Sequence, residues 1–270
     1  MLASELELKP RTKWRPSRTL LGVIGLLGFM AIAQVLPVLG IVNPLFFPPF
    51  SSMVTALVGQ FSEPSFWAAL LATLSGWALG LGIAMAAGTV LGVVIGGVPF
   101  LRTVTASTIE FLRPIPAVAL IPLIVLLFGV GTQPTLFLVV YGTFWQVLIQ
   151  ILYGVQDVDP VAMETERSYR LNYWMRTRTL VWPTVLPYLL TGFRLGAAVA
   201  LILEVTGELI IGSPGLGKQI AISQSSNAIS DMYALVIVTG LIGVAVNIAP
   251  RLIEKRLLHW HPSVRKDTPR

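Results

Sequence analysis

The chain reads as an all-α membrane protein with about six transmembrane helices, and three observations predict it. Of its 270 residues, 54% are hydrophobic and only 12% are charged. A soluble domain carries about 25% charged residues, and half that fraction cannot coat a water-facing surface. The mean hydropathy is +0.77, and the apolar residues gather into runs of roughly the 20 residues a helix needs to cross the bilayer core. Seventeen of the 19 Lys and Arg fall in segments that one side of a membrane can hold, as the positive-inside rule requires.

These numbers argue against a soluble enzyme, a disordered chain and a coiled coil. There is no cysteine, which excludes disulfides, thiolate metal sites and cysteine nucleophiles. The two histidines, His259 and His261, sit near the C-terminus, so neither a histidine-built metal centre nor a Ser-His-Asp arrangement can form in the membrane. The net charge of +6 is explained by topology, and nucleic-acid binding is not expected.

The predicted spans are residues 20–39, 66–98, 115–130 (starting nearer Val104), 135–153, 183–211 and 233–253. Lys9, Arg11, Lys13, Arg15 and Arg18 precede the first, and Arg102 and Arg113 flank the second loop. Arg167, Arg170, Arg176 and Arg178 lie between the fourth and fifth. Arg251, Lys255, Arg256, Arg265, Lys266 and Arg270 follow the sixth. Both termini are therefore expected in the cytoplasm, with Lys218 in an outer loop and Arg194 inside the fifth span. Ala31-Ile32-Ala33 resembles a signal-peptide cleavage site, but the apolar run continues through Val35, Leu36, Val38 and Leu39, which predicts a retained helix.

The division expected is a basic N-terminal segment (1–18), one permeating membrane domain (19–254) with a cytoplasmic loop at 157–182, and a C-terminal tail (255–270). The outer loops are 43–63 and 212–231, and the semi-apolar stretch 53–61 suggests an interfacial helix. Gly76, Gly80, Gly82, Gly88, Gly92 and Gly96 recur at near-helical spacing and read as a close-packing face.

Gly212-Ser213-Pro214-Gly215-Leu216-Gly217-Lys218-Gln219 has the spacing of a phosphate-binding loop. Gln219 replaces the magnesium-binding Ser or Thr, no strand precedes it, and it falls on the outer side. A tight turn is expected instead. The chain thus lacks its own nucleotide site. Glu204 and Glu208, four apart, share a helix face. Repulsion between them can favour sharing a proton; the alternatives are substrate contact, or pairing of Glu204 with Arg194 or a neighbouring helix. Glu110 and Arg113 are spaced for a local ion pair. Pro114 and Pro116 should break the helix, and a break at membrane depth must line a cavity or be covered by protein, so Arg113, Pro114 and Pro116 form a candidate inner gate. Gln133, Tyr141, Thr143, Gln146, Gln150 and Asn247 can either bond neighbouring helices or face a transport path.

In the loop 157–182, Asp159 can cap a helix beginning at Pro160. Met163, Arg167 and Arg170 would share one face, Glu166 and Tyr169 another. A second helix is expected through Trp174 to Leu180, with Pro183 and Pro187 restarting the chain in the membrane. Such a pair suits either a soluble partner or the membrane surface.

The loop resembles the signature loop of ABC-importer permeases, the binding-protein-dependent inner-membrane components. Glu164-Thr165-Glu166 takes the place of Glu-Ala-Ala, Arg170 that of the Gly, and Leu180-Val181-Trp182-Pro183 that of Ile-x-Leu-Pro. Ser168-Tyr169, Pro187 and Gly192-Phe193-Arg194 are similar too. Arg113-Pro114-Ile115-Pro116, Ala119-Leu120-Ile121-Pro122-Leu123, Phe128-Gly129, Glu208 with Gly215-Leu216-Gly217, and residues 257–262 resemble the sulfonate, taurine, nitrate and bicarbonate branch.

The resemblance implies a type I importer architecture in a bacterial inner membrane, crossed several times. It implies two permease subunits, a cytosolic ATPase dimer that uses ATP and Mg and receives Glu164, Thr165, Glu166, Arg167, Ser168, Tyr169, Arg170 and Leu171 as a coupling helix, and an external binding protein that delivers a small, often anionic solute. The candidate path residues are Arg113, Pro114, Pro116, Gln146, Arg194, Glu204 and Glu208. No catalytic residue, metal or cofactor is expected on this chain. Arg170 in the glycine place would resist a left-handed turn, which suggests a second, different permease with a closer match. The alternative functions are a proton-coupled secondary carrier and a membrane scaffold.

Overall fold

The computed structural model describes residues 17–257. Lys9, Arg11, Lys13 and Arg15, the two histidines, the 258–262 part of the tail motif, Arg265, Lys266 and Arg270 lie outside the described residues. So do the side chains of Arg18, Arg167 and Lys255. Among the described residues the structure is helical and has no strand.

The chain divides into two units, one ending at Thr55 and one beginning at Ala56. In the first, α1 (Arg18–Val38) starts where the Ser17 hydroxyl accepts from the Leu20 amide at 3.2 Å, an N-cap. Its leucines, valines and Phe29 are exposed, the condition of a helix whose solvent is lipid. The Gln34 side chain accepts from the Ser51 amide at 2.8 Å. A further helix, α2 (Phe50–Gln60), matches the expected semi-apolar helix.

The second unit holds α3 (Pro64–Gly97), α4 (Pro99–Leu112), α5 (Ile121–Phe128) after a single 3-10 turn (Ala117–Leu120), α6 (Thr132–Gln156), α7 (Pro160–Ser168), α8 (Tyr173–Arg176), α9 (Trp182–Ile211), α10 (Leu216–Ser225) and α11 (Ile229–Leu257). Proline at the first position opens α3, α4 and α7, where its missing N–H has no helical partner to lose. Among the described residues five helices, α1 included, are long and apolar enough to cross a membrane, six if α4 and α5 form one broken span.

That pair corrects the third predicted span. It bends by 79°, because Pro114 and Pro116 remove two donors and their rings block a straight helix. The expected separate helix at 174–180 is also corrected. Residues Trp174–Ile211 run as one helix, through a π turn at Thr177–Val181 in which the Trp182 amide bonds to the Thr177 carbonyl. The ring of Pro183 would meet the Thr179 carbonyl in a regular turn, and the wider register accommodates it.

The bundle centres on α6, which packs against α3 and α9. Leu81, Leu138, Val139, Ala197, Ala200 and Leu201 form the largest buried cluster, with Ile121, Ile124 and Val246. The apolar effect does not bring helices together in lipid, so close packing must. On α3, a Cβ at Gly88 would lie 2.9 Å from Val147, and one at Gly92 2.7 Å from Ile151. On α9, Gly196 and Gly207 meet Thr143 and Thr135 of α6 in the same way. Gly82 departs from the expected face, with nothing within 4 Å of its Cβ position.

These packings predict opposite outcomes for two glycines on one helix. Gly88→Val should destabilise the purified protein by about 1–3 kcal/mol through overpacking. Gly82→Ala should be neutral or stabilise by up to about 1 kcal/mol through helix propensity. Thermal unfolding in detergent checks both.

Candidate functional site

Four arrangements in the second unit bear on the predicted site residues: a latch at the α9–α10 turn, a cleft beside Glu204, the helix break between α4 and α5, and the loop between α6 and α9.

The latch begins at Gly212, whose φ of 83° places it in the left-handed region and whose amide bonds to the Glu208 carbonyl. This is a C-cap that glycine adopts without strain. The chain then turns so that the Glu208 carboxylate caps the next helix. Glu208 is 0% exposed, and its Oε2 accepts from the Gly217 amide at 2.8 Å. Thr73 Oγ1 of α3 accepts from the Leu216 amide at 2.9 Å, and the Ser213 and Thr135 hydroxyls are 2.8 Å apart. The start of α10 thus finds partners for donors that no intrahelical carbonyl can satisfy, and a carboxylate suits the positive end of a helix. A Cβ at Gly215 would overlap this carboxylate, and one at Gly217 would strike the Val205 carbonyl. The nucleotide-loop spacing is therefore a packed turn, as expected. Glu208 is a capping group buried in the latch.

Glu204, one turn earlier, is 5% exposed. It lines a cleft of about 260 Å³ with Ser75, Gly76, Thr132, Gln133 and Leu136. Its Oε2 is sealed from solvent without a hydrogen-bond partner. Gly76 makes room for the carboxylate, which a Cβ there would overlap. Arg194, one of the alternative partners, lies 3.9 Å from Glu254 of α11. Ten residues along a helix separate Arg194 from Glu204 by about 15 Å, too far for a direct bond.

At the helix break, Pro116 cannot donate to the Leu112 carbonyl, which instead accepts from the Ile115 amide at 3.2 Å and from the Tyr141 hydroxyl at 3.0 Å. The second bond ties α6 to the break and gives Tyr141 a structural role. Arg113, the cap residue of α4, lines a cleft with Arg102 and Glu110, and the local ion pair expected between Glu110 and Arg113 is not formed; the ion pair found among the described residues is Arg194–Glu254. Gln146 is half-buried on α6, and Thr143 is buried against Gly196 with its hydroxyl unpartnered.

In the loop, the Asp159 carboxylate accepts from the Val161 amide at 2.8 Å and so caps α7, as expected. The Asn172 side chain caps α8 through the Met175 amide at 2.8 Å. Thr165 and Ser168 turn their hydroxyls back to the Val161 and Glu164 carbonyls, and Glu164 stays exposed. Glu166 accepts from Thr179 at 2.7 Å, tying α7 to the π turn. Arg170 does not share a helical face with Met163 and Arg167. It has φ 56°, and the Leu171 amide bonds to the Glu166 carbonyl at 3.1 Å, which closes a Schellman cap. The left-handed position expected for glycine is real, and arginine occupies it. Tyr169 and Trp174 stand 77% and 75% exposed beside this turn.

Sequence reasoning missed Thr73, Thr135 and Ser213, since a hydroxyl in an apolar helix carries no sign of which backbone group it will meet. It missed Gly76 as the carboxylate's neighbour too, having read it as a packing position.

Against known proteins, residues 88–259 match the family described as "Binding-protein-dependent transport system inner membrane component". The chain is 29% identical over 262 residues to the taurine transport system permease protein TauC of Escherichia coli, covering 94% of this chain and 95% of that one. It is 25% identical over 178 residues to the nitrate import permease protein NrtB of a Synechocystis species, covering 66% and 65%. In fold it is similar to the structure of an amino acid ABC transporter with histidines, with TM-score 0.60 and 22% identity over 72% of this chain and 94% of that one. It is also similar to the inward-facing MetNI methionine ABC transporter, with TM-score 0.56 and 17% identity over 72% and 98%.

The latch predicts that Glu208→Ala destabilises the protein by about 1–3 kcal/mol, the cost of a buried donor left without its acceptor. Glu208→Gln, which keeps an acceptor oxygen, should lose less. Thermal unfolding gives the order, and the reverse order would refute the capping role.

Proposed function

We propose how this chain works from the fact that it belongs to the family of binding-protein-dependent transport system inner membrane components. It is a multi-pass inner-membrane permease subunit of an ABC importer and not an enzyme; the ATP is hydrolysed by a partner ATPase. Within that frame we infer that residues 157–182 form the coupling element, that this loop and both termini face the cytoplasm, and that two permease subunits enclose the path. The basic residues around the loop support the orientation.

The observation that carries the reading is the shape of the loop. Asp159, Asn172 and the Glu166–Thr179 bond hold a short helical frame, and Tyr169 and Trp174 project from it into open space. Exposed aromatics on a rigid frame are the side chains that dominate protein interfaces. Because α8 continues into α9, motion of a docked ATPase would reach the Glu204 cleft along one helix. Closing the ATPases would favour one conformation of the pathway by differential contact. The external binding protein would deliver the solute to the α10 side. The names of the relatives support a small anionic substrate class, sulfonates or nitrate among them.

The proton-coupled carrier is disfavoured by the relatives, which are permease components of ABC importers. A different second permease loses its geometric argument as well, because Arg170 adopts the left-handed turn that the family's glycine was expected to supply.

Purification of the tagged chain from native membranes should recover an ATPase, and uptake should persist when the proton gradient is collapsed while ATP is maintained. Uptake that stops with the gradient would sink this reading. Trp174→Ala should lower ATPase recovery about tenfold or more with insertion unchanged. Arg170→Gly should preserve coupling and stabilise the protein by about 1 kcal/mol by relieving a left-handed non-glycine residue. If Trp174→Ala and Glu164→Ala both leave ATPase recovery and transport at wild-type levels, the loop is not the coupling element.

A further inference from the structure

We propose that the cleft between α4 and the inner ends of α3 and α6 holds a phosphatidylglycerol molecule, with the phosphodiester on Arg102 and Arg113 and an acyl chain along the apolar wall. The inference goes beyond the importer reading. It takes from that reading only the orientation, with residues 157–182 in the cytoplasm.

Three features meet in this cleft. The first is charge without a partner. Arg102, Glu110 and Arg113 line a cleft of about 290 Å³, and their spacing puts them on one side of α4. Their side chains form no hydrogen bond or ion pair among the described residues. Two arginines against one glutamate leave the lining with a net charge of +1 (2 − 1). A guanidinium matches phosphate in shape and charge, and a charged side chain at membrane depth needs a partner or water.

The second feature is the wall. Ile95 of α3, Ile109 of α4, and Ile149 and Leu152 of α6 line the same cleft. Inorganic phosphate gains nothing from four aliphatic side chains. A phospholipid uses both chemistries, its phosphodiester on the arginines and a chain packed on the isoleucines. The helix that carries the arginines also stands at the rim of the bundle. No residue of α4 is buried, and Phe100 and Phe111, on the side away from the arginines, are 73% exposed.

The third feature is depth. Ile149 and Leu152 lie within about two turns of the end of α6 at Gln156. Ile95 is in the last turn of α3, which ends at Gly97, and Arg102 is in the first turn of α4. With the loop after α6 in the cytoplasm, this is the level of the inner headgroups. Arg113 lies eleven residues further, about 16 Å along the helix. Helical side chains lean toward the N-terminus, so Arg113 reaches back toward Arg102 and the headgroups. Basic clefts between spans on the cytoplasmic side suit anionic headgroups. A second copy of this chain is a poorer occupant, because a two-fold contact would set the same net-positive lining against itself.

The test uses the importer complex purified in mild detergent and moved into nanodiscs of phosphatidylcholine, with phosphatidylglycerol or phosphatidylethanolamine as a minor component. Lipid that stays with the protein after a detergent wash is counted by mass spectrometry. The wild type should keep phosphatidylglycerol in preference to phosphatidylethanolamine. Arg102→Gln combined with Arg113→Gln should keep about tenfold less or lower. Glu110→Gln should keep as much or more, since it removes a repelling charge. Ala106→Leu, which narrows the cleft and leaves both arginines in place, should show the same loss and serves if the double variant fails to assemble. Inorganic phosphate and glycerol phosphate should not compete.

Unchanged retention in the double variant overturns the inference. Competition by inorganic phosphate makes the cleft a free-anion site and overturns it as well. Equal retention of phosphatidylethanolamine that is lost in Glu110→Gln assigns the cleft to an ammonium headgroup, with the same consequence. Retention by the lone chain that vanishes in the assembled complex gives the cleft to a second subunit and also overturns it. A chain that keeps phosphatidylglycerol through its arginines but recovers no ATPase defeats the importer reading and leaves this inference standing.

Discussion

Backbone groups in hydrocarbon have no water to fall back on, and an unpaired amide or carbonyl there costs several kcal/mol. Each departure from regular helix in this bundle is shaped by that constraint. Where Pro116 withdraws its donor, the Leu112 carbonyl takes the Ile115 amide and the Tyr141 hydroxyl of α6 instead. Where α9 ends, Glu208, Thr73 and the Ser213–Thr135 pair satisfy the turn into α10. Where Pro183 would collide with the turn before it, the helix widens to a π register and keeps bonding. Side chains are held less strictly: Glu204 Oε2, the Thr143 hydroxyl and the Trp145 indole N–H are buried without a partner among the described residues.

Much of the architecture was legible because membrane helices obey coarse rules. Span length follows bilayer thickness, so five of the predicted spans agree with long helices to within several residues. Pro114 and Pro116 marked the break in the remaining one, since proline acts through local covalent geometry. The Asp159 cap was legible for the same reason. The size of the bend was not: the two prolines mark where the helix breaks, but not the 79° at which the pair settles.

The polar sites were less readable. Their residues were mostly noticed, but their partners were not. Glu204 and Glu208 sit on one face as their spacing requires, yet spacing could not assign one to a helix cap and the other to a cleft. That difference comes from Gly217 and Gly76, which lie on other elements. Arg194 found Glu254 of α11 rather than Glu204, a long-range choice invisible in local sequence. Arg170 shows the opposite case. A residue unsuited to a left-handed turn adopts it because the Schellman bond, the Asn172 cap and the Glu166–Thr179 bond determine the path around it. Local preference there is a cost of order 1–2 kcal/mol, and the surrounding hydrogen bonds outweigh it.

The π turn between α8 and α9 also has a rotational meaning. Each residue of an α-helix advances the chain by about 100° and 1.5 Å. Changing Thr177–Val181 from π to α register would therefore swing Trp174 by roughly that angle around the axis relative to Glu204, with little change in length. The joint between the loop and the span is a ratchet in angle more than a piston. A partner gripping Trp174 could turn the face that α9 presents to its neighbours without dragging the helix through the membrane.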